Sequence, residues 1–480
     1  MRAICVQILV WLTVSFGYAQ DWSAPKVIST GGFNNNPDFT IDGAGIIHCV
    51  WSHQLGANYV KIYYSRSTDR GDTWTSPQDI SRNPIRWMEN PHIVADNANH
   101  LHVTYDFNTG DYTATKIAYI HFDGSTWSAP VFISDSLPGP AMHNRLAIDH
   151  NDKVYCFWFR GNIVYRTMEN GMWGNYYQPY SSIQHFIMVN RAEVNSGNDL
   201  YCIGYHHYQG QTSYDDRAVA FSLEDGQWSS LQELSDTLTW DNCDVGLIGE
   251  RLPVYTWGQL RKGSAINHHV NFYCETTPSG MTPPTLLSED AYEVALTTDI
   301  NGHMHIVDTE KISDSLYHLV HYSSEQVPWS TSIIANGNIV YSENQLKSVD
   351  SSLYLVTLRM EILHTETLSV VFFRRKIRPI GHEEIRPITC SVFPNPFSGS
   401  ISVRINATSN EPLHICLTDN LGRVAGTLFQ GRPAPGTFTV TTDCRNWHLR
   451  PGIYMVQVRS ASLLTTQKVV YLPGNFLNTD

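Results

Sequence analysis

The sequence predicts an all-β protein, a seven-bladed β-propeller followed by a small C-terminal β-sandwich, and three observations lead to this prediction. A segment that begins with Trp and ends seven residues later in Ser recurs about every fifty residues, with clear copies at 22–29, 74–81 and 127–134. Three short apolar stretches bounded by Asp, Asn or Gly lie between successive copies, as in antiparallel hairpins. Aromatic residues reach 12% and charged residues only 16%, which suits packed strands.

The number of blades follows from the count of repeats. Weaker copies of the Trp segment start at Trp173, Trp228, Met281 and Trp329, and a fixed period of this length built of strands is typical of a propeller. We label the three strands of each unit A, B and C, and the Trp segment D. The first D segment precedes the first unit, so residues 22–29 are predicted to pair with 369–376 and close the ring, which removes its exposed edges. Six blades with one irregular unit is the alternative.

The N-terminus has the pattern of an export signal. Arg2 precedes an apolar run over residues 4–16, and Gly17 and Ala19 supply the small residues of a cleavage site after residue 19,. The run is too short to span a bilayer, and no later stretch is long enough. The net charge is −13 with no basic run, which argues against binding to nucleic acid. The prediction is a signal peptide at 1–19, a propeller at 20–377 and no membrane span.

Two histidine pairs have the spacing of metal ligands. His100 and His102, like His303 and His305, place two imidazoles on one strand face, as a metal site requires. His102 and His305, however, share a repeat position with tyrosines of other blades, so packing between blades explains them. The sequence has no Cys-x-x-Cys and no cofactor fingerprint, so we predict neither a metal nor a cofactor.

Residues 67–74 carry the most distinctive motif of the repeats. Ser-Thr-Asp-Arg-Gly-Asp-Thr-Trp matches the Asp-box at each of its defined positions, namely Ser67, Asp69, Gly71, Thr73 and Trp74. Residues 20–377 therefore resemble the bacterial-neuraminidase-repeat (Asp-box) family of sialidase-like β-propellers, which includes secreted glycan-handling proteins. The resemblance implies that the Asp-box is structural and lies on the face away from the functional site. Sialidase activity is disfavoured, because the arginine expected in an Arg-Ile-Pro setting is missing.

The C-terminal region differs in composition from the repeats. Residues 378–389 read as a polar linker, 390–472 as seven or so short alternating strands, and 473–480 as a tail,. The motifs Phe-Pro-Asn-Pro at 393–396, Asp-x-x-Gly-Arg at 419–423, Leu-Arg-Pro-Gly-Ile-Tyr at 449–454 and a terminal Lys-Val-Val-Tyr-Leu at 468–472 resemble the type A sorting domain of the type IX secretion system. The resemblance implies export by that machinery to the medium or the outer surface of a Bacteroidota-like Gram-negative bacterium.

Strand order predicts where a site would lie. The A–B and C–D turns share one end of every blade, so a site opposite the Asp-box is formed by starts of A strands and ends of B strands. The predicted substrate-binding residues there are Arg145, Arg160, Arg191, Asn144, Asn190 and Trp257, and the predicted proton-transfer residues are His143, His206 and His207. Arginines suit a carboxylate or sulfate, and a neighbouring histidine suits proton transfer. The alternative is that the arginines pair with acidic residues of adjacent blades.

The predicted function is that of a secreted or cell-surface propeller that binds an extracellular, acidic glycan, with its degradation left open. One alternative is a non-catalytic propeller that binds proteins or acts as a scaffold. Another is a lyase of uronate-containing polysaccharides or an exo-glycosidase, since some seven-bladed members of this wider group act on such polymers. The residues alone do not choose among these classes.

Overall fold

The computed structural model describes two compact units, which divide after Ile377. The described residues are 22–377 and 390–473, apart from short gaps at 57–58, 83–86, 109–113, 136–138, 181–185, 208–215, 237–238, 250, 261–268, 327, 362–363, 408–412, 419–423, 434–435, 448 and 460–463. The predicted signal peptide, the linker, most of the tail and the turn at 419–423 lie outside them. Within these ranges the chain forms no α-helix, and thus no helix that could cross a membrane.

The first unit consists of seven antiparallel sheets. Their strands are, in blade 1, β2 (Phe33–Ile41), β3 (Ile47–Gly56), β4 (Tyr59–Ser67) and β5 (Gln78–Asp79); in blade 2, β6 (Trp87–Ala95), β7 (Leu101–Asn108), β8 (Lys116–Phe122) and β9 (Val131–Phe132); in blade 3, β10 (Met142–Ile148), β11 (Val154–Phe159), β12 (Ile163–Glu169) and β13 (Met172–Tyr177); in blade 4, β14 (Phe186–Val194), β15 (Leu200–His207), β16 (Asp216–Glu224), β17 (Gln227–Trp228) and β18 (Gln232–Glu233).

The remaining blades follow the same order. Their strands are, in blade 5, β19 (Thr239–Ile248), β20 (Leu252–Leu260), β21 (His269–Thr277), β22 (Gly280–Met281) and β23 (Thr285–Glu289); in blade 6, β24 (Ala291–Thr298), β25 (Met304–Ser313), β26 (Leu316–Ser323) and β27 (Ser330–Gly337); in blade 7, β28 (Ile339–Val349), β29 (Ser352–Glu361), β30 (His364–Lys376) and the N-terminal β1 (Lys26–Val27).

The first strand of each blade lies innermost, and these strands form a closed ring. Strands β2, β6, β10, β14, β19, β24 and β28 each contact the next, and β28 contacts β2. The fold is therefore a seven-bladed β-propeller, and the six-bladed alternative is wrong. Blades 1 and 2 are additionally joined by one parallel bridge between Val60 and Trp87.

Blade 7 contains the predicted closure. Strand β1 pairs with β30 through Lys26 opposite Phe372 and Val27 opposite Val371, and Trp22 forms a further bridge with Arg375. The backbone N–H of Ile28 donates to the carbonyl of Val370 over 2.9 Å. The N-terminal segment thus supplies the outer strand of the last blade.

The recurring Trp segment joins neighbouring blades. In most interfaces its ring packs against an aromatic residue of strand C in the preceding blade, with centroids 4.8–5.5 Å apart. The pairs are Trp22–His321, Trp74–Phe372, Trp127–Tyr64, Trp173–Tyr119, Trp228–Tyr165 and Trp329–Tyr273. Aromatic pairs of this kind stabilise a fold by about 0.5–1.5 kcal/mol beyond their buried area, which explains the repeat of Trp at this position.

The A–B turns of five blades share one structure. A side-chain oxygen at the first turn position accepts the backbone N–H groups two and four residues later, over 2.7–3.0 Å. The accepting residues are Asp42, Asp96, Asp149, Asn195 and Asp299. Three residues beyond each acceptor a residue has a left-handed backbone, a conformation that Gly, Asn and Asp tolerate best.

The second unit is a small sandwich. Its strands are β31 (Cys390–Phe393), β32 (Ser400–Ala407), β33 (Leu413–Thr418), β34 (Val424–Gly431), β35 (Gly436–Asp443), β36 (Gly452–Arg459) and β37 (Leu464–Tyr471). They form a three-stranded sheet, β31-β32-β35, and a four-stranded sheet, β34-β33-β36-β37. Alternate residues such as Ile401, Val403, Ile415 and Val456 are fully buried in a shared core, so the strands predicted here are confirmed.

Candidate functional site

A cavity of about 610 Å³ opens where the inner strands begin, on the face opposite the Asp-box. Its lining comes from all seven inner strands and consists of Asn36, Pro37, Asn90, His92, His143, Arg145, Arg191, Cys243, Tyr292, Glu293, Val294, Glu343, Asn344 and Gln345. We refer to it as the mouth cavity. Each blade contributes one short segment of its inner strand near the propeller axis, so residues far apart in sequence lie close together here.

Every inner strand carries a β-bulge at this end. The register against strand B shifts by one or more residues at equivalent places in all seven blades. Bulges redirect side chains and are common beside functional sites. At four of them the bulged residue is left-handed, with φ between 50° and 55° at Asn36, Asn90, His143 and Glu343. Asn accepts this conformation readily, whereas Glu rarely adopts it, so Glu343 is held there by its surroundings.

Three blades contribute a line of hydrogen bonds across the cavity wall. Nδ1 of His92 lies 3.1 Å from Oδ2 of Asp38, and Nε2 of His92 lies 2.8 Å from Nη1 of Arg145. A guanidinium can only donate, so Nε2 accepts and the Nδ1–H donates to Asp38. Burial, followed by the charge of Arg145, lowers the pKa of His92 to about 4. His92 is therefore neutral at ordinary pH and orients Arg145.

Two guanidinium groups converge at the carbonyl of Asn190. Nε of Arg145 donates to this oxygen over 2.7 Å, and Nη1 of Arg191 donates to it over 3.1 Å. Arg191 also lies 3.7 Å from a carboxylate oxygen of Asp244. This contact corresponds to the alternative in which the arginines pair with acidic residues of adjacent blades. Burial raises the pKa of Asp244, and the charge of Arg191 acts in the opposite direction. The 3.7 Å separation is longer than a hydrogen bond,, and both arginines line the cavity.

The bulge of blade 3 is fixed by a buried carboxylate. Asp106 accepts hydrogen bonds from the side chains of Asn90 and Asn144 over 2.9 and 2.8 Å, and from the backbone N–H of His143 over 2.8 Å. Asn144 is fully buried, so it positions the bulge. The imidazole of His143 is exposed in the cavity, and none of the described residues hydrogen-bonds to it.

Glu343 lies in the same cavity as the arginines. Its carboxylate accepts the backbone N–H of Asn36. Burial raises its pKa to about 7, while this hydrogen bond and the charges of Arg145 and Arg191 act in the opposite direction. The mouth cavity thus contains two cationic groups, an exposed imidazole and a carboxyl group that titrates near neutrality.

The structure brings only some of the predicted site residues together. His143, Arg145 and Arg191 line the cavity, and Asn144 and Asn190 support them. The other four residues lie at the ends of B strands. Each B strand is about 4.8 Å farther from the propeller axis than the inner strand beside it. The four residues are Arg160, His206, His207 and Trp257.

These four outer residues have their own surroundings. Trp257 is fully buried, stacks on Phe272 and donates to Gln259. His206 is buried, and His207 lies 2.5 Å from a carboxylate oxygen of Asp216. Both terminal nitrogens of Arg160 are buried, and none of the described residues accepts a hydrogen bond from them.

Sequence reasoning missed Asp38 and Glu343 and did not select His92. A signal was available, because Asp38, His92, Arg145 and Arg191 follow the bulge in consecutive blades and are thus spaced by the repeat period. Residues one period apart at the ring centre are neighbours in space. Glu343 occupies the bulge itself, the position held by Asn36 and Asn90 in blades 1 and 2.

The Asp-box forms the tight turn expected of it. Oδ1 of Asp69 accepts the backbone N–H of Thr73 over 2.8 Å, and the hydroxyl of Ser67 accepts the N–H of Gly71 over 2.8 Å. Hydrogen bonds from Thr73 lower the pKa of Asp69 to about 2. Trp74 packs edge-on against Phe372, so the motif joins blade 1 to blade 7 and takes no part in the mouth cavity.

Comparison with known proteins identifies the second unit and the fold of the first. Residues 391–471 match the family described as the secretion system C-terminal sorting domain. This domain indicates export by the type IX secretion system, and the protein is accordingly secreted or displayed at the cell surface. A search of curated protein sequences finds no match.

Solved structures similar to the chain are propellers. A polysaccharide lyase, the PL25 ulvan lyase, aligns with a TM-score of 0.51 at 10% identity over 72% of this chain and 94% of its own. The same lyase bound to -[GlcA(1-4)Rha3S]- aligns with a TM-score of 0.51 at 11% identity, over 72% of this chain and 94% of its own. Trypanosoma rangeli sialidase with the inhibitor DANA aligns with a TM-score of only 0.40 at 11% identity, over 94% of this chain and 87% of its own. This similarity is too weak to support any argument. The similarity to the lyase supports the propeller fold alone.

Proposed function

We propose that this exported propeller binds an acidic polysaccharide in the mouth cavity, through a carboxylate or sulfate group held by Arg145 and Arg191. The observation that carries this proposal is the convergence of the two guanidinium groups on the carbonyl of Asn190, beside a cavity of about 610 Å³. Guanidinium forks match the geometry of carboxylate and sulfate oxygens, and cavities of this size hold a few sugar units.

The charge of the whole chain makes this local pair informative. The chain carries a net charge of −13, so its overall field repels a polyanion. Salt screens that repulsion beyond roughly 8–10 Å, whereas contacts inside a partly enclosed cavity are screened less. Affinity for an acidic glycan therefore depends on the few cations that line the cavity.

A second function, lyase activity on uronate-containing chains, is favoured by His143 and Glu343. In such an elimination the arginines neutralise the uronate carboxylate, and a base removes the proton from the adjacent C5. The C5–H electron pair forms the C4=C5 double bond, the C4–O4 bond breaks, and an acid protonates O4. The exposed imidazole of His143 suits the base. Glu343, with a pKa near 7, suits the acid, because proton transfer is efficient when the pKa lies near the working pH.

Binding and turnover are tested on the secreted protein with matched variants. Oligosaccharides containing uronate, sulfate or neither are titrated by calorimetry, with Arg145→Ala and Arg191→Ala as test variants. Removing one partner of a close Arg–carboxylate pair costs about 2–5 kcal/mol, so each variant is expected to bind acidic ligands some thirty-fold or more weaker. Arg445→Ala removes the same charge from an exposed position in the second unit and is expected to leave affinity unchanged.

The same preparations separate the competing functions. Ultraviolet absorbance from new C4=C5 bonds, lost in His143→Ala with affinity nearly intact, supports the lyase. New reducing ends without that absorbance support a glycosidase. Binding without either product supports a binding protein. Failure to bind any acidic glycan, or equal binding by Arg145→Ala and Arg191→Ala, overturns the proposal and leaves the protein-binding or scaffold alternative.

The predicted cleavage of a signal peptide after residue 19 is tested by N-terminal sequencing of the exported protein. Export itself is tested by removing residues 390–472 in a host with type IX machinery. The truncated chain is expected to be retained by the cell, while a chain with the substitution Arg445→Ala is expected to be exported normally. Normal surface display of the truncated chain would refute the role of this domain.

A further inference from the structure

A cluster of three potential metal ligands lies on the opposite face of blade 6. Nε2 of His305 is 3.4 Å from Oδ2 of Asp299 and 3.9 Å from Oε1 of Glu325. All three ligand atoms lie within 4.8 Å of one another, and this is the one such group of His, Cys, Asp and Glu among the described residues. Asp299 belongs to the A–B turn, His305 to strand β25, and Glu325 to the turn after strand β26.

His305 directs an unused nitrogen at the two carboxylates. The side chain is fully buried, and Nε2 makes no well-formed hydrogen bond with any described residue. Its other nitrogen, Nδ1, lies 3.1 Å from Nε2 of His321. With Nδ1–H donating to His321, the lone pair of Nε2 points toward Asp299 and Glu325. In this tautomer Nε2 is a buried acceptor without a donor, which is unfavourable, and a bound cation would satisfy it.

Blade 1 shows how this repeat position is built without a third ligand. His48, which is equivalent to His305, lies 3.1 Å from Oδ2 of Asp42 through Nε2 and 2.8 Å from the hydroxyl of Tyr64 through Nδ1. Both imidazole nitrogens are thus satisfied. In blade 6 the tyrosine is replaced by His321, and Glu325 is added.

Each of the three ligands is held by its own neighbours. Oδ1 of Asp299 accepts the backbone N–H groups of the A–B turn. Oδ2 lies 3.1 Å from Nδ1 of His303 and 3.4 Å from Nε2 of His305, so His303 holds this oxygen on the side of His305. Glu325 lies 3.4 Å from Arg375 of blade 7 and its side chain is 22% exposed, so a cation can enter from solvent on its side. Such outer contacts orient the ligands of natural metal sites.

We propose that Asp299, His305 and Glu325 bind one divalent cation of the zinc type. One imidazole nitrogen and two carboxylate oxygens form a ligand set for Zn²⁺, and a tetrahedral site with bonds near 2.1 Å separates its ligands by about 3.4 Å. The Asp299–His305 distance has this value, and a small rotation of the partly exposed Glu325 would shorten its 3.9 Å separation from His305 to the same value. Solvent or a further donor completes the four-coordinate shell.

The site lies beside the closure of the ring. His321, which orients His305, packs against Trp22 with ring centroids 5.4 Å apart, and Arg375, which contacts Glu325, is bridged to the same Trp22. A cation here joins two turns and a strand of blade 6 next to the N-terminal segment. Its binding therefore stabilises the interface at which the propeller closes.

The test uses the full exported chain, stripped with a chelator and dialysed, and ZnCl₂ as the only added ligand. Competition with a chromophoric chelator is expected to give one zinc ion per chain, and zinc is expected to raise the melting temperature. Co²⁺ in its place is expected to give the visible absorption of a tetrahedral site. Glu325→Gln and Asp299→Asn are expected to lower zinc affinity at least tenfold, since each replaces an anionic ligand by a neutral amide.

Controls separate ligand loss from misfolding. Glu325→Gln retains an oxygen for Arg375, so its melting temperature without zinc is expected to match that of the parent chain. Asp42→Asn changes the equivalent turn of blade 1, which lacks a third ligand, and is expected to leave zinc binding intact. The proposal is overturned if the parent chain binds no zinc, or if Glu325→Gln and Asp299→Asn bind zinc as it does. Glycan titration of the chelator-treated protein keeps this outcome distinct from that of the mouth cavity.

Discussion

The two ends of the inner strands differ in what varies from blade to blade. At the Asp-box end, five A–B turns repeat one arrangement, in which an Asp or Asn oxygen accepts two backbone N–H groups. At the mouth end every strand has a bulge, but the residues that follow it are Asp38, His92, Arg145, Arg191, Cys243, Val294 and Gln345. The residues that repeat at the Asp-box end maintain the ring, and the residues that differ from blade to blade at the mouth end line the candidate site.

Removal of the closing strand β1 is expected to have the largest effect on the stability of the ring. Deletion of residues 20–30 is expected to lower the free energy of unfolding by several kcal/mol, because strand β30 loses its partner and Ile28 and Trp22 leave the core,. Chemical denaturation of the parent and the truncated chain measures this difference. Equal stabilities would mean that β1 is dispensable for closure.

A single glycine in the Asp-box tests the same end locally. Gly71 has φ +89°, and an added β-carbon would overlap the ring of Phe372. Gly71→Ala is therefore expected to destabilise the chain by roughly 2–4 kcal/mol, through backbone strain and overpacking together. Gly124 has a similar φ of +91° but open space around it, so Gly124→Ala is the matched control, with an expected cost of about 1 kcal/mol. Similar losses in both variants would show that Phe372 does not matter.

The repeated A–B turn distinguishes stability from binding. Asp42→Ala removes the acceptor of two backbone N–H groups and is expected to cost about 1–2 kcal/mol of stability, as the loss of a cap does. Glycan affinity at about 25 °C is expected to be unchanged. Asp42→Asn keeps the accepting oxygen and is expected to recover most of the lost stability. A change in affinity in either variant would contradict the separation of the two ends.

The smallest expected effect is a pH dependence that originates at the mouth. The pKa of Glu343 rises from 4.5 to about 7 in the folded chain, so the folded state holds this proton more tightly, and its contribution to stability decreases as pH rises from 4.5 to about 7. Above that range the ionised carboxylate also repels an acidic ligand. Affinity for such a ligand is expected to fall several-fold as pH rises through 7.

Two variants assign this pH dependence. Glu343→Gln is expected to flatten the affinity profile around pH 7. Asp308 in blade 6 also has a pKa raised by burial to about 7, but it is not among the residues that line the cavity, so Asp308→Asn is expected to alter only the pH dependence of stability. An unchanged affinity profile in Glu343→Gln would remove this residue from the site.

The sequence predicted the ring more fully than the site. Blade number and closure follow from periodicity, since the Trp segments recur and the first of them precedes its strands. Strand order predicts the face on which the mouth cavity lies, and it places His143, Arg145 and Arg191 there. Strand order does not reveal how far a residue lies from the axis. For that reason the predicted site also contains Arg160 and Trp257, which lie one strand farther out. It also does not reveal where each bulge falls, and the bulge is what places Glu343 in the cavity.

The meeting of both ends of the propeller in blade 7 makes the order of the blades arbitrary. Trp22 is bridged to Arg375, so a short connection from residue 377 to residue 22 would leave every contact between blades in place. A circularly permuted chain opened in another C–D turn would have the same ring with its seam elsewhere. In the natural order, Ile28 and Val370 meet only after nearly the whole ring has been synthesised, and closing so long a loop is entropically costly and slow. Moving the seam would therefore change how the propeller folds while leaving the finished ring the same.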